Sequence, residues 1–445
     1  MTTVPASPAE PTFAALAAID WGSQNHSWAI SLPDRVTVKT GVLENKPEAV
    51  ELWASALRRE FPTGRIAVAI EQKRGAVIYM LSKYDHLVLY PVPPSMSARY
   101  RDAFRPSGAK DDPTDAVLLL DLLRRHREHL RPLTQDTPET RLLRCLVYDR
   151  RKFVQQKVRL VQQLTDTVQQ YFPQLRTWFA LDTPLVYALL RRWPTLPQLQ
   201  RAHPGTLKRF FLDQGCRDDD LIASRIQSIH AAVAATEDTA VIEKCTRKTA
   251  TLLTLLATLR EQIASYDKRI AEVTANHPDT PIFASFPGAG AATVPRLIAA
   301  FGTCREDWNS AVEMQRFSGI APVLRRSGKT SFVAMRRACP KFLRQTFHEL
   351  AGQSIPHSPW AKAYYQHHLQ GKKENHHRAV RALAYRWIRV LYRCWKERSL
   401  YDERLLLEAQ RRRNSPLSGK LGASPRLEWT RQAGFQKLTD ERSDG

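Results

Sequence analysis

Five short apolar runs in the first hundred residues constrain the fold most. The first, AALAAID, ends on Asp20; SWAISL (27–32), VTVKTGVL (36–43), RIAVAIE (65–71) and LVLYPV (87–92) follow. Runs this short, rich in Val, Ile and Leu and bounded by turn residues, read as β-strands. Between and after them, residues 45–61, 76–84 and 114–126 place apolar side chains at helical spacing. The order βββ-α-β-α-β-α predicts a mixed sheet with helices packed on it, its first three strands joined as a meander.

Past residue 138 the period changes. Val147, Val154, Val161 and Val168 recur every seven residues, and Leu252, Leu256, Leu259, Ile263, Tyr266, Ile270 and Val273 step alternately by four and three. Such a seam predicts long helices that pack on each other or on a second copy of the chain. Residues 175–245 read as short helices interrupted by proline. Near 280 a third stretch opens with FPGAGAATVPRLIAAFG. Its glycines either bring a helix N-terminus to a phosphate, as in a helix-hairpin-helix, or simply start a helix. Two further helices are expected at 340–352 and 375–398. The chain thus divides into an arm (1–12), an α/β domain (13–130), a helical coiled-coil region with an insert (131–278), a mainly α C-terminal domain (279–400) and a basic, partly disordered tail (401–445).

The net charge of +23 predicts a polyanionic partner, nucleic acid above all. No run of about 18 apolar residues suggests a membrane span. Residues 1–13 lack the basic and apolar regions of a secretory signal. Six scattered cysteines without a CxxC pair fit unpaired thiols in a cytoplasmic protein.

Apolar strands that terminate in carboxylates carry chemistry. Asp20 and Glu71 each close such a strand, and Asp112 and Asp115 stand three apart at a helix start. A carboxylate at the end of a buried strand needs a cation or a donor, and a few convergent carboxylates suffice for Mg²⁺. Each acid has an ordinary alternative as a cap or an ion-pair partner, and Asp111 is as eligible as Asp112.

Together the pattern is specific. Asp20 in IDWGSQNHSWAI, Glu71 in AVAIEQKRG and the acids of AKDDPTDAVLL resemble the RuvC-like branch of the RNase H fold in DEDD-type insertion-sequence transposases. The resemblance implies a RuvC-like α/β domain whose Asp20, Glu71, Asp112 and Asp115 bind Mg²⁺ (or Mn²⁺), with Lys110 beside them on the nucleic acid. One departure is IEQKRG, in place of the small Gly- and Tyr-containing run that often follows this glutamate.

A second match lies in SGIAPVLRRSGKTS, where Gly319, Ile320, Pro322, Ser327 and Gly328 fit the C-terminal signature of the same family. By composition alone this is a basic phosphate-contact loop, in which Ser318, Thr330 and Ser331 are as eligible as Ser327. The resemblance places the nucleophile on Ser327, with Arg325, Arg326, Lys329, Arg336 and Arg337 around the phosphate. It implies a DNA recombinase that forms a phosphoserine intermediate, is guided by a structured bridge RNA and works as a dimer or tetramer. Arg378 and Arg381 open a helix that mixes cations and aromatics, suited to a nucleic-acid backbone. The adjacent pairs His367, His368 and His376, His377 read as surface, not as metal ligands. Two other readings are a RuvC-like endonuclease in which water attacks, and a non-catalytic nucleic-acid-binding protein.

Overall fold

The computed structural model describes residues 12–35, 37–72, 75–104, 112–327, 330–369 and 375–412. Two compact units divide between Gln135 and Asp136. Among the described residues no helix is long and apolar enough to cross a membrane.

In the first unit β1 (Ala15–Asp20), β2 (Asn25–Ser31) and β3 (Lys39–Glu44) form the meander. Helix α1 (Pro47–Glu60), β4 (Ile66–Ile70), α2 (Ala76–Leu81), β5 (Leu87–Pro91), α3 (Pro94–Phe104) and α4 (Asp112–His126) follow. The sheet order is β3-β2-β1-β4-β5; β1 is antiparallel to β2 and parallel to β4, and β4 is parallel to β5. Strand alternation sorts side chains onto two faces. Ala15, Ala17, Ile19, Ile66, Val68 and Ile70 bury against α1 and α2. Leu16, Ala18, Ala67 and Ala69 bury against Ala116, Leu119, Leu120 and Leu123 of α4. Alanines on the second face let α4 lie close to the sheet. Helix α3 is not among the elements the sequence predicts: PSMSARYRDAF buries only Ser97, so its periodicity is weak.

The second unit is built on α5 (Pro138–Tyr171) and α11 (Thr239–Ala275). Arg150 pairs with Asp267, and the Tyr171 hydroxyl meets Thr249, so the helices run antiparallel. The heptad seam therefore closes within one chain. Its ends are buried in two cores, Val147 and Ile270 in one and Val168, Leu252 and Leu256 in the other. Val154, Val161, Ile263 and Tyr266 between them are half-buried.

Between these long helices lie α6 (Leu175–Trp178), α7 (Pro184–Arg192), α8 (Leu196–Gln200), α9 (Pro204–Asp213) and α10 (Asp219–Ala231). The prolines at 184, 197 and 204 do not interrupt helices here. They sit in first turns, where a missing N–H costs nothing, and Thr183, Thr195 and His203 cap those turns.

The C-terminal part contains α12 (Thr280–Ala284), α13 (Val294–Phe301), α14 (Ala311–Phe317), β6 (Val323–Ser327) and β7 (Thr330–Ala334). Helices α15 (Lys341–Ser354), α16 (Pro359–Leu369), α17 (His376–Glu397) and α18 (Glu403–Arg412) complete it. Gly288 adopts φ +76°, and a Cβ there would lie 2.6 Å from the Gln353 backbone, so only glycine fits. Helix α13 is core: Val294, Leu297, Ile298 and Phe301 are all buried. The start of the predicted tail is the helix α18, anchored where Glu403 accepts from Ser358 and the Trp360 amide.

Two buried histidines and a half-buried third make stability depend on pH. Burial holds His26, His277 and His348 below the ordinary histidine value of 6.5. Each ring takes up its proton at a lower pH in the fold than in the unfolded chain, which does so as pH falls through 6.5. Stability is therefore present above that pH and lost below it. The melting temperature is expected to fall from about pH 7 to about pH 5. His26→Asn, which keeps an acceptor but does not titrate, is expected to flatten that slope in part; an unchanged slope counts against the role of His26.

Candidate active site

Parity and register bring the strand-end acids together. Ile19 pairs with Ile70 across β1 and β4, so Asp20 and Glu71 each follow one residue later at the same end of neighbouring strands. Asp20 shares parity with Leu16 and Ala18, the face that α4 covers. Asp115, one turn into α4, is 3% exposed. Asp20, Glu71 and Asp115 line a single pocket, together with Ser97, Tyr100, Arg101 and the leucines 118, 119 and 122. Asp112 opens α4 one turn earlier.

The turn out of β1 is tightly built. A Cβ on Gly22 would lie 2.0 Å from the Asn25 carbonyl oxygen. The Gly22 amide donates to Nδ1 of fully buried His26 at 3.2 Å. The strand end that carries Asp20 is thus fixed from below.

Helix α3 supplies the partners that sequence reasoning missed. Ser97 donates to Glu71, and the Arg101 fork donates to both oxygens of Asp115 at 2.8 Å each. Tyr100 donates to Asp121 at 2.6 Å, and burial together with that bond pushes its pKa to about 12. The available signal was slight: Pro93–Pro94 ahead of a serine and an arginine one turn apart.

The donor set fits a hard divalent cation, because every candidate ligand is a carboxylate and Asp115 is buried. Among the described residues, the group whose ligand atoms all lie within 4.8 Å of one another is His126, Glu128 and His129; Asp20, Glu71 and Asp115 line one pocket without meeting that spacing. Both the glutamate and His129 are more than half exposed, and arginines at 124, 125 and 127 surround the group. The His367/His368 and His376/His377 pairs form no such group; His368 stacks on Tyr364 and His376 meets Tyr365.

In the second unit the run predicted as a loop is a β-hairpin. Ser327 is the last residue of β6 and pairs with Thr330, the first of β7. Lys110, Lys329 and the alternative ligand Asp111 lie outside the described residues, and Asp112, Arg325 and Ser327 are described through their backbone. The alternative nucleophile Ser318 is fully buried and donates to the Gln315 carbonyl. Arg326 and Arg337 are exposed. Arg336 and Arg381 each bury an Nε without a hydrogen-bond partner among the described residues, while Arg344 donates to the Arg336 carbonyl at 3.1 Å. Burial and the neighbouring Arg344 charge lower the Arg381 pKa from its ordinary value. Half-buried guanidiniums without a carboxylate suit phosphate oxygens. On α17, Val380, Leu383, Trp387 and Leu391 face the core, while Arg378, Arg386, Arg389 and Arg393 are exposed.

Comparison with known proteins places these features. A DEDD transposase domain model of the IS110 type matches residues 17–173. A second model, Transposase IS116/IS110/IS902 family, matches residues 280–366. A protein named as a candidate transposase for the IS117 mini-circle of Streptomyces coelicolor is 26% identical, over 88% of this chain and 97% of its own length. An uncharacterized protein of insertion element IS116 from Streptomyces clavuligerus is 26% identical over 86% and 95%. One of insertion element IS900 from Mycobacterium paratuberculosis is 25% identical over 86% and 96%. A DEDD transposase domain suggests a divalent metal ion. The two models together span more than half of the chain, which belongs to the IS116/IS110/IS902 family of transposases, enzymes that cut and rejoin DNA.

Proposed function

We propose that the first unit is a RuvC-like RNase H domain and that the chain recombines DNA through a phosphoserine intermediate. The observation that supports this reading is that Asp20, Glu71 and Asp115 line one pocket. These acids with Asp112 would hold Mg²⁺, and Mn²⁺ would serve as well. Once bound, the ion supplies Lewis acidity to the scissile phosphate.

The Ser327 hydroxyl forms the Oγ–P bond and loses its proton, one sugar–oxygen bond to phosphorus breaks, and the leaving sugar oxygen takes up a proton. One phosphodiester replaces another, so rejoining needs no further energy source. Arg325, Arg326 and Lys329 stabilise the charge that develops on phosphorus oxygens. Lys110, Arg336, Arg337, Arg378 and Arg381 contact the nucleic-acid backbone. A structured bridge RNA guides the choice of DNA, and a dimer or tetramer in the cytoplasm holds the several ends. The net charge of +23 supports so large a polyanionic load.

The test is a denaturing gel of the full chain incubated with element-end DNA, its RNA and Mg²⁺. A covalent protein–DNA adduct is expected, lost in EDTA and in Glu71→Gln. Cut ends without an adduct would favour the water-attacking nuclease. No cutting from an assembled complex would favour a binding protein.

A further inference from the structure

Helix α3 presents Ser97 and Arg101, one turn apart, to two different carboxylates of the acid pocket. Ser97 bonds Glu71 and also the Pro94 carbonyl at 3.0 Å. Arg101 Nε and Nη2 each reach one oxygen of Asp115 at 2.8 Å. Asp115 is buried, whereas the Arg101 side chain is 26% exposed. Arg101 lines the same pocket as Asp20 and Glu71, so its guanidinium shares the space into which the acids converge.

Resting on the reading of these acids as a metal site, we propose that Arg101 is a positioning residue. It holds Asp115 as an ion pair before the metal binds and yields it to the divalent cation. A buried carboxylate without a partner is costly, and a guanidinium fork satisfies both of its oxygens. That keeps the Asp115 side chain in place while the site is unloaded. A divalent cation approaching the same carboxylate repels the guanidinium, so the two compete. The partial exposure of Arg101 gives the side chain a route into solvent, where its charge is solvated. Ser97 carries no charge and does not compete. Tyr100, bonded to Asp121, keeps α3 on α4 when the Arg101 contact is given up.

The experiment titrates the metal-stripped full chain with Mn²⁺ and reads free Mn²⁺ by electron paramagnetic resonance, without DNA. Asp20→Asn identifies which binding belongs to the acid pocket. Arg101→Ala is expected to bind that Mn²⁺ about tenfold more tightly than the unmodified chain. It is also expected to melt at a lower temperature in EDTA. Arg101→Lys keeps the charge without the fork and is expected to fall between the two; it carries the comparison if the alanine variant does not fold. Equal or weaker Mn²⁺ binding by folded Arg101 variants overturns the proposal and makes Arg101 a fixed support of metal-bound Asp115. If the unmodified chain shows no Mn²⁺ binding sensitive to Asp20→Asn, the acid-site reading itself falls, and the proposal with it.

Discussion

Ser327→Ala is expected to remove the covalent protein–DNA adduct and to lower strand exchange by at least about 10³-fold. The substitution removes one hydroxyl from the last residue of a β-strand, where alanine keeps the pairing with Thr330. Mn²⁺ binding and DNA binding are therefore expected to be unchanged, which separates loss of the nucleophile from loss of the fold. Thr330→Ala is the matched control, because Thr330 carries a hydroxyl on the strand residue paired with Ser327. It is expected to leave the adduct intact. Metal-dependent nicking that survives Ser327→Ala would sink the phosphoserine reading in favour of attack by water.

The largest expected effect on stability lies in the second unit. Asp279 and Arg305 are 3% and 8% exposed, and Arg305 Nη1 reaches Asp279 Oδ2 at 2.8 Å while Nη2 bonds the other oxygen. The same guanidinium donates to the Trp395 carbonyl at 3.1 Å and lies 4.8 Å from the centroid of its ring. This pair joins the loop after α11, the segment after α13 and the end of α17. Asp279→Ala strands a buried cation, at a cost of about 3–5 kcal/mol. A fall in melting temperature of roughly 6–15 °C is expected by calorimetry. The double change Asp279→Leu with Arg305→Met removes both charges and is expected to recover much of the loss. A double variant no more stable than Asp279→Ala would mean that shape, not charge, dominates at this position.

The two effects belong to different kinds of residue. Asp279 and Arg305 have all their bonding capacity turned inward, so their removal shows as unfolding. The pocket acids Glu71 and Asp115 are bonded by side chains of α3. Glu71 is bonded by a neutral serine, and Asp115 by an arginine with access to solvent.

Sequence alone determined much of this. Apolar strands that end in Asp20 and Glu71, a helix that starts with Asp112 and Asp115, and the heptad seam are local patterns, legible because burial imposes a period on neighbouring residues. The hairpin under Ser327 escaped that logic, since Leu324, Phe332 and Val333 are exposed and no buried face marks the strands. Whether the seam closed on itself or on another copy was equally out of reach, because an a/d repeat does not name its partner; the antiparallel pairing of α5 and α11 decided it. The acid cluster shows the division most clearly. Its acids could be singled out from two strand ends and a helix start. That Asp20, Glu71 and Asp115 line one pocket follows from the β1–β4 register and from alanines that admit α4. That Ser97 and Arg101 sit on those acids follows from how α3, a helix with almost no apolar pattern, packs beside α4. Hydrogen bonds between residues 14 to 26 positions apart leave no period in a sequence, so only the tertiary structure could place the arginine against the aspartate.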